Sequence, residues 1–362
     1  MTARGKKNPG RIRMERLKIA WYGLALGLCG LAVLLATSFP SGQAAAASLD
    51  SLKAEYRRPA KIPFPDDNPY TKPKAELGRV LFFDPIISGN GTRSCASCHN
   101  PGLSWGDGLP RAIGVSAKPL PTRAPTLIDI AWIDVLGWAG QFPSLEAVAF
   151  KGPIIGIDNM DRKEADLVPL LQAIPGYVRL FAKAYPPDGA INQSHIEQAL
   201  ATFERTIVAS QAPFDRWIEG DENAIDPAAK RGFALFNGKA GCAQCHSGWN
   251  FTDGSFADIG VGQGDDIGRG KLFPSSPKLQ YAFKVPTLRD VARRGPYMHD
   301  GSEPTLEAVI DLYNKGGVDR PSRSDLIKPL NLSDREKSDL IAFLKTLTGD
   351  SNKPFAVPDL PR

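Results

Sequence analysis

The chain has 362 residues, 35 of them Gly and 31 Pro, so it is long enough for two ordinary domains and too rich in turns for one regular bundle. Its formal charge of +5 sits in the first 47 residues, which hold seven basic side chains and one acid, Glu15. Taking these from 44 basic and 39 acidic residues leaves 37 and 38, a near-neutral remainder that argues against nucleic acid as a partner.

The N-terminus reads as an export segment. Met1–Lys18 is basic, Ile19–Ala36 is an apolar run of 18 residues, and Ser41–Ser48 is rich in small residues, with Ala45-Ala46-Ala47 as an A-x-A cleavage site. The apolar run is also long enough to span a bilayer marginally, so an uncleaved anchor is the alternative, and the only expected tie to a membrane. Cys29 lies within the run behind Leu28, which is too large for a lipoprotein cleavage site, and reads as apolar filler. Residues 1–47 are therefore a signal peptide or anchor, and the remainder is expected in the periplasm.

Helices are predicted over Lys74–Phe83, Leu145–Phe150, Ala165–Ala173, Tyr177–Tyr185, Ile191–Ile207, Pro227–Phe236, Leu306–Asn314 and Asp334–Leu347. The last opens on a capping box, Ser333 with Glu336. Ser210–Glu222 reads as a connection. The expected fold is all-α, with one domain over residues 48–209 and a second over 210–362.

Four of the five cysteines and two of the four histidines fall into two copies of one motif, SCASCHN (Ser94–Asn100) and GCAQCHS (Gly241–Ser247). Disulfides or a zinc site would use the cysteines but leave His99 and His246 unexplained. CxxCH is the haem-attachment signature: two thiols form thioethers and the following His reaches the iron. Two covalently bound haems c are expected, on Cys95, Cys98 and His99 and on Cys242, Cys245 and His246.

The frames around the motifs repeat. LGRVLFF, CASCH, WGDG, AIGV and APTL in the first half match RGFALFN, CAQCH, FTDG, DIGV and VPTL in the second. His99 lies eight residues before Asp107 and fifteen before Gly114; His246 lies seven before Asp253 and fourteen before Gly260. Such self-similarity implies duplication of a small one-haem unit.

The sixth position of each iron decides between peroxide chemistry and simple electron transfer. No His lies between Asn100 and Ser194, so the first haem has no local sixth ligand and reads as five-coordinate. His195 reads as a surface or core side chain. For the second haem, Leu306, Val309, Ile310 and Tyr313 share one helix face. The buried Tyr313 hydroxyl then needs a partner: a backbone carbonyl, a haem propionate or the iron itself. Met298 is a rival ligand.

These motifs together resemble the bacterial di-haem cytochrome c peroxidase and MauG family over Pro73–Gly349. The carriers include LGRVLFFDPIISGNGTRSCASCHNP, LEAVAFKGPI, VPTLRDVARRGPYMHDGS and LIAFLKTLTG. The resemblance implies two cytochrome c-like domains facing each other across a cleft, a peroxide-reactive first haem and an electron-relaying second haem. It also implies Tyr313, fourteen residues after His299, as axial ligand in the MauG manner, where peroxidases carry Met. His299 is then a propionate or hydrogen-bond partner, and Trp138 a relay between the haems, with Trp132 and Trp105 as alternatives. Implied partners are hydrogen peroxide and a protein electron donor or protein substrate.

The sequence departs from the family at several places. The family's distal Gln and its distal acid/base Glu correspond to Val148 and Asn159, and Asn cannot move a proton. Asp158 and Asp161 flank Asn159 as substitutes. The Asn that binds an interdomain calcium corresponds to Arg123, so calcium is expected to be weak or absent.

Overall fold

The computed structural model describes residues 49–349 and 355–362. The export segment expected at residues 1–47 lies outside them. No helix among the described residues is long and apolar enough to cross a membrane.

In chain order the helices are α1 (Leu49–Glu55), α2 (Lys72–Phe83), α3 (Leu145–Ala149), α4 (Glu164–Gln172), α5 (Pro175–Ala184), α6 (Gln193–Arg205), α7 (Pro213–Ile218), α8 (Pro227–Asn237), α9 (Leu306–Lys315) and α10 (Asp334–Lys345). Sheet is limited, among the described residues, to two antiparallel two-residue strands, β1 (Phe256–Ala257) and β2 (Phe283–Lys284). Phe256 faces Lys284, and Ala257 faces Phe283. The fold is helix-rich, as expected, with this small pair added.

Two departures have local causes. The helix expected to run to Phe150 ends at Ala149 and widens into a π turn over Phe150–Ile154. Pro153 lies inside that turn and supplies no amide to an α-ladder. The segment expected as a plain connection contains α7. Pro213 opens that helix, and the Asp215 carboxylate accepts from the Ala212 amide at 2.8 Å.

The duplication is visible as two matching helix crossings. At Gly78 on α2 an added Cβ would lie 1.8 Å from the Ala199 carbonyl oxygen of α6 and 2.9 Å from the Phe203 Cβ. At Gly232 on α8 it would lie 2.0 Å from the Asp339 carbonyl oxygen of α10 and 2.7 Å from the Phe343 Cβ. Glycine is required at both places because the backbones touch. Each crossing heads its own core. The first gathers Leu77, Phe82, Phe150, Phe181, Ile196 and Phe203 among others. The second gathers Tyr56, Phe214, Trp217, Phe233, Phe251 and Phe343, with many rings edge to face.

Candidate functional site

Each CxxCH motif folds as a single tight turn. Three-residue 3₁₀ turns cover Cys95–Ser97 and Cys242–Gln244. The His99 amide donates to the Cys95 carbonyl at 2.9 Å, and the His246 amide to the Cys242 carbonyl at 2.9 Å. That turn brings both thiols and the imidazole of each motif to one side of the chain. Among the described residues no disulfide joins Cys95, Cys98, Cys242 or Cys245.

Both motifs line one cavity of about 520 Å³. Its wall is largely apolar, with Ala112, Leu127, Ile128 and Val148 around the first motif and Val309, Ile310 and Leu344 around the second. Burial pushes the Cys95 thiol well up and the Cys242 thiol up to about 12. Burial pushes both imidazoles down, so they stay neutral, as an iron ligand must. His99 Nδ1 lies 3.3 Å from the Trp105 carbonyl oxygen, and His246 Nδ1 lies 2.9 Å from that of Phe251. These acceptors hold the proton on Nδ1 and leave the lone pair on Nε2. Two thiols, an oriented neutral imidazole and a large apolar cavity therefore fit a thioether-bound haem at each motif.

The remaining candidates divide by position. Tyr313 projects from α9, whose Thr305 cap accepts from the Ala308 amide at 3.1 Å and whose Gly316 C-cap has φ +90°. It lines the cavity, and its hydroxyl has no hydrogen-bond partner among the described residues. Burial, with the Cys242 and Cys245 sulfurs close by, pushes its phenol up. Met298 also lines the cavity. His299 is 3% exposed, and its Nε2 is engaged by the Asp266 carboxylate at 2.7 Å while its ring stacks on Phe283. His195 stacks on Tyr185, and its Nδ1 lies 2.7 Å from the Ala190 carbonyl oxygen.

Trp138 is in the cavity wall, whereas Trp105 and Trp132 are not among its lining residues. Trp105 packs on Phe82 and Phe203 instead, and Trp132 packs on Trp249. The Trp138 indole N–H donates to the Arg123 carbonyl at 2.9 Å, and its own carbonyl accepts from the Lys284 amide at 2.8 Å. It is thus fixed to both repeats. Arg123 links them again: its amide donates to the His299 carbonyl at 2.9 Å, and its buried guanidinium donates to the Arg294 carbonyl at 2.8 Å.

Around the first motif, Asn159 and Val148 line the cavity. The Asn159 amide group donates to the Gly152 carbonyl at 3.2 Å. Asp158 and Asp161 are exposed and absent from the lining, so neither carboxylate is placed where Asn159 is. The acid that does line this region is Glu204 on α6, which the sequence reading did not single out. The signal was the repeat itself, because FERT (Phe203–Thr206) aligns with FLKT (Phe343–Thr346).

Known proteins bear on this geometry directly. A family model described as di-haem cytochrome c peroxidase matches residues 72–223, and one described as cytochrome c matches residues 229–348. The chain is 49% identical over 348 residues to methylamine utilization protein MauG of Methylorubrum extorquens, covering 95% of this chain and 97% of that one. It is 34% identical to cytochrome c551 peroxidase of Nitrosomonas europaea, covering 79% and 83%. The crystal structure of a MauG-like protein associated with microbial copper homeostasis superposes with a TM-score of 0.76 at 32% identity, covering 82% of this chain and 97% of that one. Two cytochrome c-like repeats, two haem-attachment turns on one cavity and these similarities agree: the chain belongs to the di-haem cytochrome c peroxidase and MauG family, and is an oxidoreductase carrying two covalently bound c-type haems.

Proposed function

We propose that the chain is a periplasmic MauG-like oxidoreductase that reacts with hydrogen peroxide at the first site and exchanges electrons with a protein donor or protein substrate at the second. The observation that carries this reading is Tyr313, a phenol that lines the same cavity as Cys242, Cys245 and His246 and has no hydrogen-bond partner among the described residues. When bound, the haems supply the redox chemistry, with peroxide reduced at one iron and electrons exchanged through the other.

The chain's own residues do the rest. Cys95 and Cys98 hold the first haem, and Cys242 and Cys245 the second, in domains spanning residues 48–209 and 210–362. His99 and His246, oriented by the Trp105 and Phe251 carbonyls, would ligate the irons through Nε2. Tyr313 would supply a further oxygen ligand to the second iron. Trp138, clamped between Arg123 and Lys284, relays oxidising equivalents between the sites. Asn159 at the first site orients peroxide by hydrogen bonding but transfers no proton. A fixed guanidinium at Arg123 disfavours calcium there by charge repulsion.

Tyr313→Phe tests the ligand. Low-temperature EPR of the ferric protein should show the low-spin signal changed and the high-spin signal unmoved. Identical spectra would remove Tyr313 from the iron. Trp138→Phe tests the relay. Oxidation of the second haem by peroxide, followed by stopped-flow absorbance, should slow at least about tenfold, which corresponds to roughly 1.4 kcal/mol of barrier. An unchanged rate would end the relay role.

Asn159 in place of a carboxylic acid favours a second reading, a di-haem electron carrier without turnover. Steady-state peroxide consumption with a reduced small cytochrome or copper protein separates the readings. Rapid consumption indicates an ordinary peroxidase, and none at all, even with a protein substrate, indicates a carrier.

A further inference from the structure

The repeat gives an internal control for every buried side chain. The end of α6 and the end of α10 are the same structure in the same register. Thr206 Oγ1 donates to the Phe203 carbonyl at 2.6 Å, and Thr346 Oγ1 donates to the Phe343 carbonyl at 2.6 Å. Phe203 and Phe343 meet the matching glycines, Gly78 and Gly232. One residue on, the first repeat carries Glu204 and the second carries Leu344. Both line the cavity, and both are 6% exposed. The second repeat shows that this slot is filled satisfactorily by an alkyl side chain. A carboxyl in it costs stability and is not required for packing.

The neighbouring Arg205 charge offsets only part of that cost, and Glu146 opposes it. Its carboxyl makes no hydrogen bond among the described residues, and Oε2 is fully buried. The charged groups on the elements around it are already engaged. Arg205 forks onto Glu146 of α3 at 2.6 and 3.0 Å. Lys74 of α2 donates to Asn68 and to the Pro69 carbonyl, both at 2.8 Å, and Arg79 of α2 turns to the Ala356 carbonyl. The 3₁₀ turn Ile130–Trp132 offers no titratable side chain, and Asp129 before it accepts from the Ala209 amide at 3.0 Å. The remaining neighbour is Cys95, whose sulfur feels the Glu204 charge. Burial raises the Glu204 carboxyl to about 8.

We propose that Glu204 is the redox-linked proton acceptor of the first haem. One-electron reduction of that iron, by the protein donor or a chemical mediator, draws one proton from water onto the Glu204 carboxylate; one-electron oxidation returns the proton to water. The cause is electrostatic. A carboxylate in a low-dielectric wall stabilises the more positive, oxidised iron, so losing that positive charge raises its proton affinity. The second repeat, with Leu344, lacks this coupling. The inference rests on Cys95, Cys98 and His99 holding the first haem.

Spectroelectrochemical titration of the di-haem protein from about pH 6 to pH 10 tests it, in the wild type, Glu204→Leu and Glu204→Gln. The wave missing from a Cys95→Ala/Cys98→Ala chain belongs to the first haem. That chain's covalent haem content also tests the attachment reading separately: if two haems survive denaturation and acid extraction, the attachment is wrong whatever the titration gives. In the wild type, the first wave should move to lower potential as pH rises while the second stays level. In both variants the first wave should become level too. A slope that survives in variants with two haems, or a level first wave in the wild type, overturns the proposal. Glu204→Leu copies the second repeat, and Glu204→Gln keeps the shape, so either folded variant decides.

Discussion

The Cys95→Ala/Cys98→Ala chain is expected to carry one haem where the wild-type chain carries two, and to lose much of the stability of the repeat that held it. Without the thioethers, haem is held at the first site by His99 and apolar contact alone. The cavity is about 520 Å³ across both motifs. At about 24 cal/mol for each Å³ of void, leaving all of it unfilled costs about 12 kcal/mol, and one site about half of that. An ordinary domain has only about 5–15 kcal/mol to lose. Packing around Leu77, Phe82 and Phe203 is therefore not expected to hold the first repeat firmly on its own. Haem absorbance per protein mass gives the stoichiometry, and far-ultraviolet circular dichroism on heating gives the stability. Two haems that both survive denaturation and acid extraction would show that the first CxxCH is not an attachment site. Unchanged melting with one haem would show that the cavity closes at little cost.

Much of this arrangement was legible beforehand because it follows from local spacing. CxxCH needs a single turn to bring Cys95 and His99 together, and the helix over Leu306–Lys315 puts Tyr313 on the face of Leu306 and Ile310 at a period of 3.6. Both depend on residues a few positions apart. What was missed depends on contacts far along the chain. Glu204 looks like one acid on a solvated helix end, and its burial is set by α2 crossing α6 where Gly78 meets Ala199. Asp158 was offered as a neighbour that could replace the missing acid. Adjacency in sequence does not put two side chains on one surface: the Asp158 carbonyl packs where a Cβ on Gly114 would fall, 1.6 Å away, and its carboxylate stays outside. Trp138 was reachable by register from the family, whereas its hydrogen bonds to Arg123 and Lys284 come from two different repeats and have no signature in either.

Arg289→Ala is expected to destabilise the second repeat by about 3–5 kcal/mol, the cost of breaking a buried ion pair from one side. Arg289 is wholly buried, and Asp215 is 2% exposed. One guanidinium nitrogen donates to the Asp215 carboxylate at 2.7 Å, while Nε donates to the Trp249 carbonyl at 2.8 Å. Trp249 follows His246 by three residues, so the same side chain ties the iron-binding turn to α7. Truncation strands the Asp215 carboxylate with the Ala212 amide and a weaker approach from Arg58 at 3.5 Å. It also strands the Trp249 carbonyl. Arg289→Lys keeps the charge but lacks the planar fork that serves both acceptors, so its loss should fall between wild type and Ala. Arg289→Met with Asp215→Leu should recover part of the loss, since neither charge is then stranded. Urea unfolding followed through the second haem's absorbance measures all three chains. A loss under about 1 kcal/mol in Arg289→Ala, typical of a surface change, would mean that water reaches Asp215 and that the pair contributes little. The ordering Ala, Lys, wild type separates loss of the fork from loss of charge, because charge alone would make Lys equal to Arg.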